Sequence, residues 1–598
     1  MSRTTGPLHS AAPASGPTAA APDPVAHTRT LTYTGGVPGR GPVTLGQANM
    51  IRCMLRDEPE HINIHDVWPV PPGTDTEAVL TALRALVVRH AALRTTFPPA
   101  ADAAAREQVV ASEGSFTVTV LDHERLPVAG AGHAEALARR ARAVPFRLDR
   151  DFPLHLTLVT SAGTPVFLAM AASHAATDAG ALAVLKEDWL ALLALPAGGT
   201  LPAPTSLTPL EQAAEEASPA GLRKAEASLR HWERILRTGP QAMFAEPGAE
   251  GTEVATPKLG LRSRRAARAL EAAAARTGSP PSTVLLSAWC ALVAHRTGQE
   301  ACVLAAPTSN RYQPRLVRAV GTLSQDALLH LDTRVPTFDA LLKKAWGAAL
   351  GAYRHSRFDS LRLWEMIDRV TFARGSRFAR DVVFNDVSSL PGTVASLRAE
   401  PDADGGDPEG GGPEHELRWD EGQVLPTRML TFVHATAPVL RLDLWADPAL
   451  FPRAEAEGFL TGLVRLLEAA AMADVPLASL TEVTGVRPVP RGPQWVRADG
   501  CWTSPPLVAR TLREALGAPA VHVTADGLTA YIAAGPAAVT AERAHTALME
   551  ALPGRPGVLA PRRYVIVQDP PAEADRSSAW LRQRILSEGT GRAPADVT

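Results

Sequence analysis

Two apolar strands that run straight into a histidine constrain this chain more than any other stretch. PLHLTLVT (Pro153–Thr160) and TPVFLAMAASH (Thr164–His174) flank a short Ser-Ala-Gly turn, which predicts two strands. The second ends at His174, and DAGALAVLKEDWLALLAL (Asp178–Leu195) follows as a helix. Strand, polar turn and helix in succession belong to an α/β architecture, and they set the histidine where a side chain can face a cleft.

The chain carries this mixture twice. In a first unit, residues 29–205, Val79, Leu83, Leu86 and Val87 recur at helical spacing within Thr76–Phe97. Phe116–Leu126 alternates as a strand, and His133–Arg150 is a helix stopped by Pro145. Pro- and Gly-rich residues 196–210 link it to a second unit, 206–485. There Gly221–Leu236, Ser263–Gly278 and Pro280–Gly298 read as helices, the last two ended by glycine and the last apolar enough to be buried. Ala301–Arg311 and Arg380–Ser389 read as strands, FDALLKKAWGAALGAYRH as a helix, and residues 400–416 as a flexible loop. Pro426–Ala435 and Val439–Asp447 form a predicted hairpin before a helix that ends near residue 472. Beyond VRPVPRGP (Val486–Pro493), residues 494–598 make a third, smaller unit. Residues 1–28, rich in Ala, Pro, Gly and Ser, are expected to be disordered.

Composition narrows the functions. A formal net charge of −2 leaves no overall excess of Lys and Arg to displace counterions, so no nucleic-acid partner is expected. Cys53, Cys290, Cys302 and Cys501 have no paired spacing, which reads as reduced thiols with neither a disulfide framework nor a metal site. The N-terminus lacks the apolar core of a secretory signal, and no run of about 18 apolar residues occurs. A cytoplasmic protein with no membrane partner is expected. There is no G-x-S-x-G elbow, no cysteine in a reactive context and no phosphate-binding loop, which argues against a protein nucleophile and against ATP chemistry.

That leaves His174. With an ordinary pKa near 6.5, an imidazole suits proton removal from an attacking amine. Asp178, four residues on, can orient the ring or pair with an arginine to lock the loop. The helix that opens there offers backbone N–H groups to a developing oxyanion.

Segments in order along residues 30–485 resemble the condensation domains of nonribosomal peptide synthesis. SHAATDA (Ser173–Ala179) is similar to their His-His-x-x-x-Asp-Gly. VTLGQANMIRCML (Val43–Leu55) resembles the opening Ser-x-Ala-Gln-x-Arg-Leu, and RHAALRTTF (Arg89–Phe97) the second signature, Arg-His-x-x-Leu-Arg-Thr-x-Phe. VPFRLDRDFPLHLTLV resembles the strand before the active histidine, and SLRHWERIL the bridging helix. TGQEACVLAAPTSNR (Thr297–Arg311), VGTLSQDALLHLD and LWADPALFPRAEAEGFLTGLVRLLEA resemble the later signatures and the last helix.

The resemblance implies a V of two chloramphenicol-acetyltransferase-like α/β lobes, followed here by a small C-terminal α+β domain. It implies a free-standing condensation enzyme with a tunnel between the lobes. A partner carrier protein would bring an acyl or aminoacyl thioester on its phosphopantetheine, an amine or hydroxyl would accept it, and no cofactor of the chain's own is needed. His174 takes the place of the essential second histidine, and Asp178 that of an aspartate held by an arginine, for which Arg94 is the candidate. Asn385 and Ser309 are candidate tunnel residues. Three positions depart from the pattern: Ser173 replaces the first histidine, and Ala179, ahead of Gly180, replaces the glycine and adds a methyl where the tunnel is narrow. Leu323-Ser324-Gln325-Asp326 replaces Phe-Val-Asn-Thr. A catalytically inactive module that recruits a carrier protein or partner enzyme is the alternative, and an epimerase shares the fold. The third unit, ending in PPAEADR (Pro570–Arg576), resembles the small C-terminal subdomain of adenylating enzymes without its lysine, which implies a relic used for packing or docking.

Overall fold

The computed structural model describes residues 24–100, 106–126, 130–196, 198–249, 255–388, 414–535 and 539–592. The expected tail lies outside them up to residue 23 and the expected loop up to residue 413. What remains of the tail is ordered: a strand starts at Val25, where Val25–Thr34 pairs antiparallel along Glu113–His123. The cross-strand ladder holds this end, which a composition rich in small residues does not reveal.

The first lobe is built on a five-stranded sheet in the order Val25–Thr34, Glu113–His123, Leu154–Ser161, Thr164–Ala172, Ile64–Pro69. Only the pair Glu113–His123 and Leu154–Ser161 is parallel. The helices Thr76–Arg89 and Ala179–Leu193 close one face, packing Leu83, Leu86, Leu182 and Trp189 on Leu156, Leu168 and Met170. The helix Gly130–Arg142 covers the other face through Ala134 and Ala138.

The second lobe has seven strands in the order Gln325–Asp332, Ala301–Thr308, Val382–Asp386, Met429–Ala435, Leu440–Ala446, Thr256–Ser263, His415–Gln423. Ala301–Thr308, Val382–Asp386 and Met429–Ala435 run parallel at its centre. The helix Pro281–Thr297 is buried along nearly its whole length, as its lack of charge predicts, between this sheet and the helix Arg453–Met472. Gly278 and Gly298 end the two helices read from their glycines in the left-handed conformation, at φ 65° and 62°. Several strands escaped the sequence reading, Ile64–Pro69 and Gln325–Asp332 among them. Thr256–Ser263 passed unnoticed, and His415–Gln423 overlaps the expected loop at its last residues; as an edge strand with one polar face it lacks an apolar run. The helix Ser360–Arg374 was also missed.

Residues beyond Pro493 fold around their own core. A sheet in the order Val521–Val523, Thr529–Ala533, Arg563–Val567, Ile585–Gly589 carries the helices Pro505–Leu516 and Ala541–Ala551. This unit is docked firmly on the second lobe. Arg374, almost fully buried, bonds the Asp499 carboxylate at 3.0 Å and the Gly239 carbonyl at 2.8 Å. Trp502 donates to the carbonyl of Gly298 at 3.0 Å, with Arg491 stacked over its ring. His545 Nε2 donates to the Phe372 carbonyl at 2.9 Å while Nδ1 faces the Tyr564 hydroxyl at 3.1 Å. Among the described residues, no helix is long and apolar enough to cross a membrane.

Candidate active site

The second strand of the hairpin stops at Ala172, and a tight turn carries Ser173–Asp178 to the helix Ala179–Leu193. The turn is closed by Ala176 and Thr177 amides on the Ser173 carbonyl, each at 3.1 Å, and by the Thr177 hydroxyl on the same oxygen. Ser173 and the small residues Ala175 and Ala176 are buried, packed toward Ile51, Phe97 and Met54.

His174 Nδ1 lies 2.9 Å from the Thr177 carbonyl. A carbonyl can only accept, so Nδ1 carries the proton and Nε2 the lone pair. Among the described residues Nε2 has no hydrogen-bond partner. Burial pushes the imidazole below its ordinary pKa, against the opposing pull of Asp178 and the Thr177 carbonyl. The ring is therefore neutral, oriented and basic at its free nitrogen at physiological pH.

Asp178 caps the helix, accepting from the Ala181 amide at 2.9 Å. Its remaining contacts come from the second lobe. Arg311 makes a bidentate pair at 2.7 and 2.9 Å, and the Leu323 amide (2.9 Å), Ser324 amide and Ser324 hydroxyl (both 3.1 Å) complete the shell. The pair is almost fully enclosed, at 1% exposure for Asp178 and 8% for Arg311. Burial raises the Asp178 pKa, but Arg311 and the amide donors outweigh it and hold the carboxyl below its usual range.

The arginine is thus Arg311 and not Arg94. Arg94 lies within the first lobe, where its guanidinium donates to the carbonyls of Val87 and Ala111 and packs on Gly36. Arg311 closes the TSNR stretch that follows the strand Ala301–Thr308, and its guanidinium also donates to the carbonyls of Ser309, Ala319 and Gly321. A charge pair 133 residues apart has no signature in local sequence.

The other expected positions divide. Ser309 is half-buried two residues from Arg311, to which its carbonyl accepts. Asn385 is half-buried on the neighbouring strand, beside Phe432 in register. Ala179 directs its methyl partly onto the first lobe's core. Gly180 packs so close to Arg311 that a Cβ there would stand 2.8 Å from Nη1. Of the amides at this helix end, the Ala181 N–H is taken by Asp178, so it is not offered to an oxyanion. Sequence reasoning missed Thr322, whose hydroxyl donates to the His174 carbonyl, and Gly46, where a Cβ would stand 2.2 Å from the Thr322 carbonyl oxygen. The altered segment Leu323–Ser324 keeps a role nonetheless, since its amides are two of the Asp178 donors.

No cysteine competes as a nucleophile at this seam: Cys290, Cys302 and Cys501 are buried, and burial pushes the Cys53, Cys290 and Cys501 thiols up.

Comparison with known proteins agrees with this geometry. Residues 42–387, more than half of the chain, match the model of the condensation domain. The chain is 26% identical over 411 residues to phosphinothricin tripeptide synthetase PhsB of Streptomyces viridochromogenes, a match that covers 67% of this chain and 33% of that protein. A second synthetase of that organism, PhsC, is 29% identical over 41% of this chain and 23% of its own. The match thus spans a third or less of each of these relatives. In fold, the chain is similar to the first condensation domain of the CDA synthetase, with a TM-score of 0.52 at 20% identity over 73% of this chain and 98% of that one. It is likewise similar to the X-domain from teicoplanin biosynthesis, with a TM-score of 0.56 at 18% identity over 75% and 98%. The two lobes, the histidine between them and the family match together assign this chain to the condensation-domain family of nonribosomal peptide synthesis.

Proposed function

We propose that the chain transfers an acyl or aminoacyl group from the phosphopantetheine thioester of a carrier protein to an amine, or to a hydroxyl, forming an amide or ester in nonribosomal peptide biosynthesis. The observation that carries this reading is the state of His174: one ring nitrogen tied to the Thr177 carbonyl, the other a free base, at a seam both lobes build. As the acceptor nitrogen attacks the thioester carbonyl, Nε2 takes its proton; collapse of the tetrahedral intermediate expels the pantetheine thiolate, which takes up a proton. General-base assistance of this kind is worth roughly 10²–10⁴-fold. Asp178 and Arg311 act as positioning residues, holding the turn that presents the imidazole, and Asn385 and Ser309 flank the acceptor's path. Ser173 and Ala179 line the turn as structural support, with Gly180 leaving room for Arg311.

Product formation from a loaded carrier protein, followed by mass spectrometry, tests the reading. His174→Ala should lose about 10²–10⁴-fold in turnover while still binding the carrier. Full turnover by that variant would overturn the enzyme reading in favour of a module that recruits a carrier or partner enzyme.

A further inference from the structure

The carboxyl ends of the parallel strands in the second lobe carry a cluster that His174 chemistry does not use. Ala305 is in register with Val383, so three residues further on Thr308 and Asp386 finish side by side, and the first of these strands then leads to Arg311. The Thr308 and Tyr312 hydroxyls are hydrogen-bonded. Asp386 accepts from the Ser388 amide at 3.0 Å and the Ser388 hydroxyl at 2.6 Å, both on Oδ1. Tyr353, at the end of the helix Phe338–Arg354, joins them: burial first, then the neighbouring Asp386 and Tyr312, push its pKa up to about 12.

Three enclosed carboxylates have a cation. Asp178 has Arg311, Asp188 has Arg89 and Arg318, and Asp381 has Arg428 at 3.9 Å. Asp386, among the described residues, has none. An ionised carboxylate half-withdrawn from water without a counter-charge is disfavoured, and Ser388 bonds only one of its oxygens. Burial raises its pKa, as an uncompensated site requires. Oδ2 and two neutral phenol oxygens therefore remain at the strand ends, the edge of an open α/β sheet at which ligands bind. A carboxylate oxygen and a phenol oxygen, near a second phenol that Thr308 engages, offer acceptors to the N–H donors of a primary ammonium.

We propose that Asp386, with Tyr312 and Tyr353, binds a primary ammonium group of the acceptor substrate. The assignment of that group to the acceptor rests on the acyl-transfer reading; the binding itself does not. The ammonium is either the one that becomes the nucleophile or a second one on a diamine.

Calorimetric titration of the full chain with 1,5-diaminopentane, pentylamine and pentanol tests this. Both amines should bind and pentanol should not. Asp386→Asn, which keeps the acceptor for Ser388, should weaken amine binding by at least about tenfold, the fold-change for losing a charge-assisted hydrogen bond. Tyr353→Phe should weaken it less, and Glu365→Gln, an exposed change on the helix Ser360–Arg374, not at all. Tighter binding of the diamine identifies the second ammonium, and equal binding the reacting one. Absence of amine binding by the wild type, or undiminished binding by Asp386→Asn, overturns the proposal. His174→Ala should retain amine binding, so failure at Asp386 is distinguishable from failure of the acyl-transfer reading.

Discussion

Replacing Asp178 by Ala should unfold the seam before it touches the chemistry. The side chain accepts from the Ala181, Leu323 and Ser324 amides, the Ser324 hydroxyl and both terminal nitrogens of Arg311. Its loss leaves an arginine that is 8% exposed without a counter-charge, which costs about 3–5 kcal/mol. Removing the helix cap contributes about 1 kcal/mol within that figure. For a lobe of this size each kcal/mol moves the melting midpoint by about 2–4 °C, so a fall of roughly 6–20 °C is expected by calorimetry. Adding Arg311→Ala should recover part of the loss, because the stranded charge goes with it, and the two changes should be clearly non-additive. The pH dependence has a definite sign. The folded carboxyl sits below its unfolded pKa of about 3.9, so its contribution is in force above that value and is lost as pH falls through the lower folded one. The gap between wild type and variant should hold from pH 8 to about pH 4 and close below. A melting point within about 2 °C of wild type, with turnover abolished, would refute the reasoning and make Asp178 a participant in the reaction.

Three further outcomes follow from the same geometry. Gly180→Ala would ordinarily strengthen a helix by up to about 1 kcal/mol, but the new methyl meets a guanidinium pinned by Asp178 and three carbonyls, so the variant should melt lower; a higher melting point contradicts the packing. Because burial holds the His174 pKa below its ordinary value, the acid limb of turnover should have its midpoint below pH 6.5, and a midpoint at or above 6.5 would show a solvated imidazole. His545, pushed down to about 4 chiefly by burial, is neutral in the docked C-terminal unit, so docking should be fully stable above the unfolded pKa near 6.5 and weaken as pH falls toward 4. Proteolysis after Val486–Pro493 should report this, and a pH response unaltered in His545→Gln would assign it elsewhere.

Much of the site was legible because it is local. The hairpin, the turn and the helix around His174 each depend on residues a few positions apart: Asp178 caps Ala181, and Thr177 fixes His174. The helices ended by Gly278 and Gly298 were readable for the same reason, since a left-handed terminus favours glycine whatever packs nearby. The likeness of ordered segments added the two-lobed architecture and pointed to His174 as the proposed base.

What the chain could not disclose by itself is which distant groups meet. With 60 Lys and Arg residues available, the sequence pointed to Arg94, and only the packing of the lobes brings Arg311 to Asp178, because Coulomb attraction depends on separation in space and carries no trace in spacing along the chain. Equally, a carboxylate in a sequence shows nothing of its solvation. Asp386 becomes unusual only when the fold half-buries it near Tyr353 and gives it no cation among the described residues, whereas Asp178, just as ordinary as a letter, is held by an arginine from the other lobe.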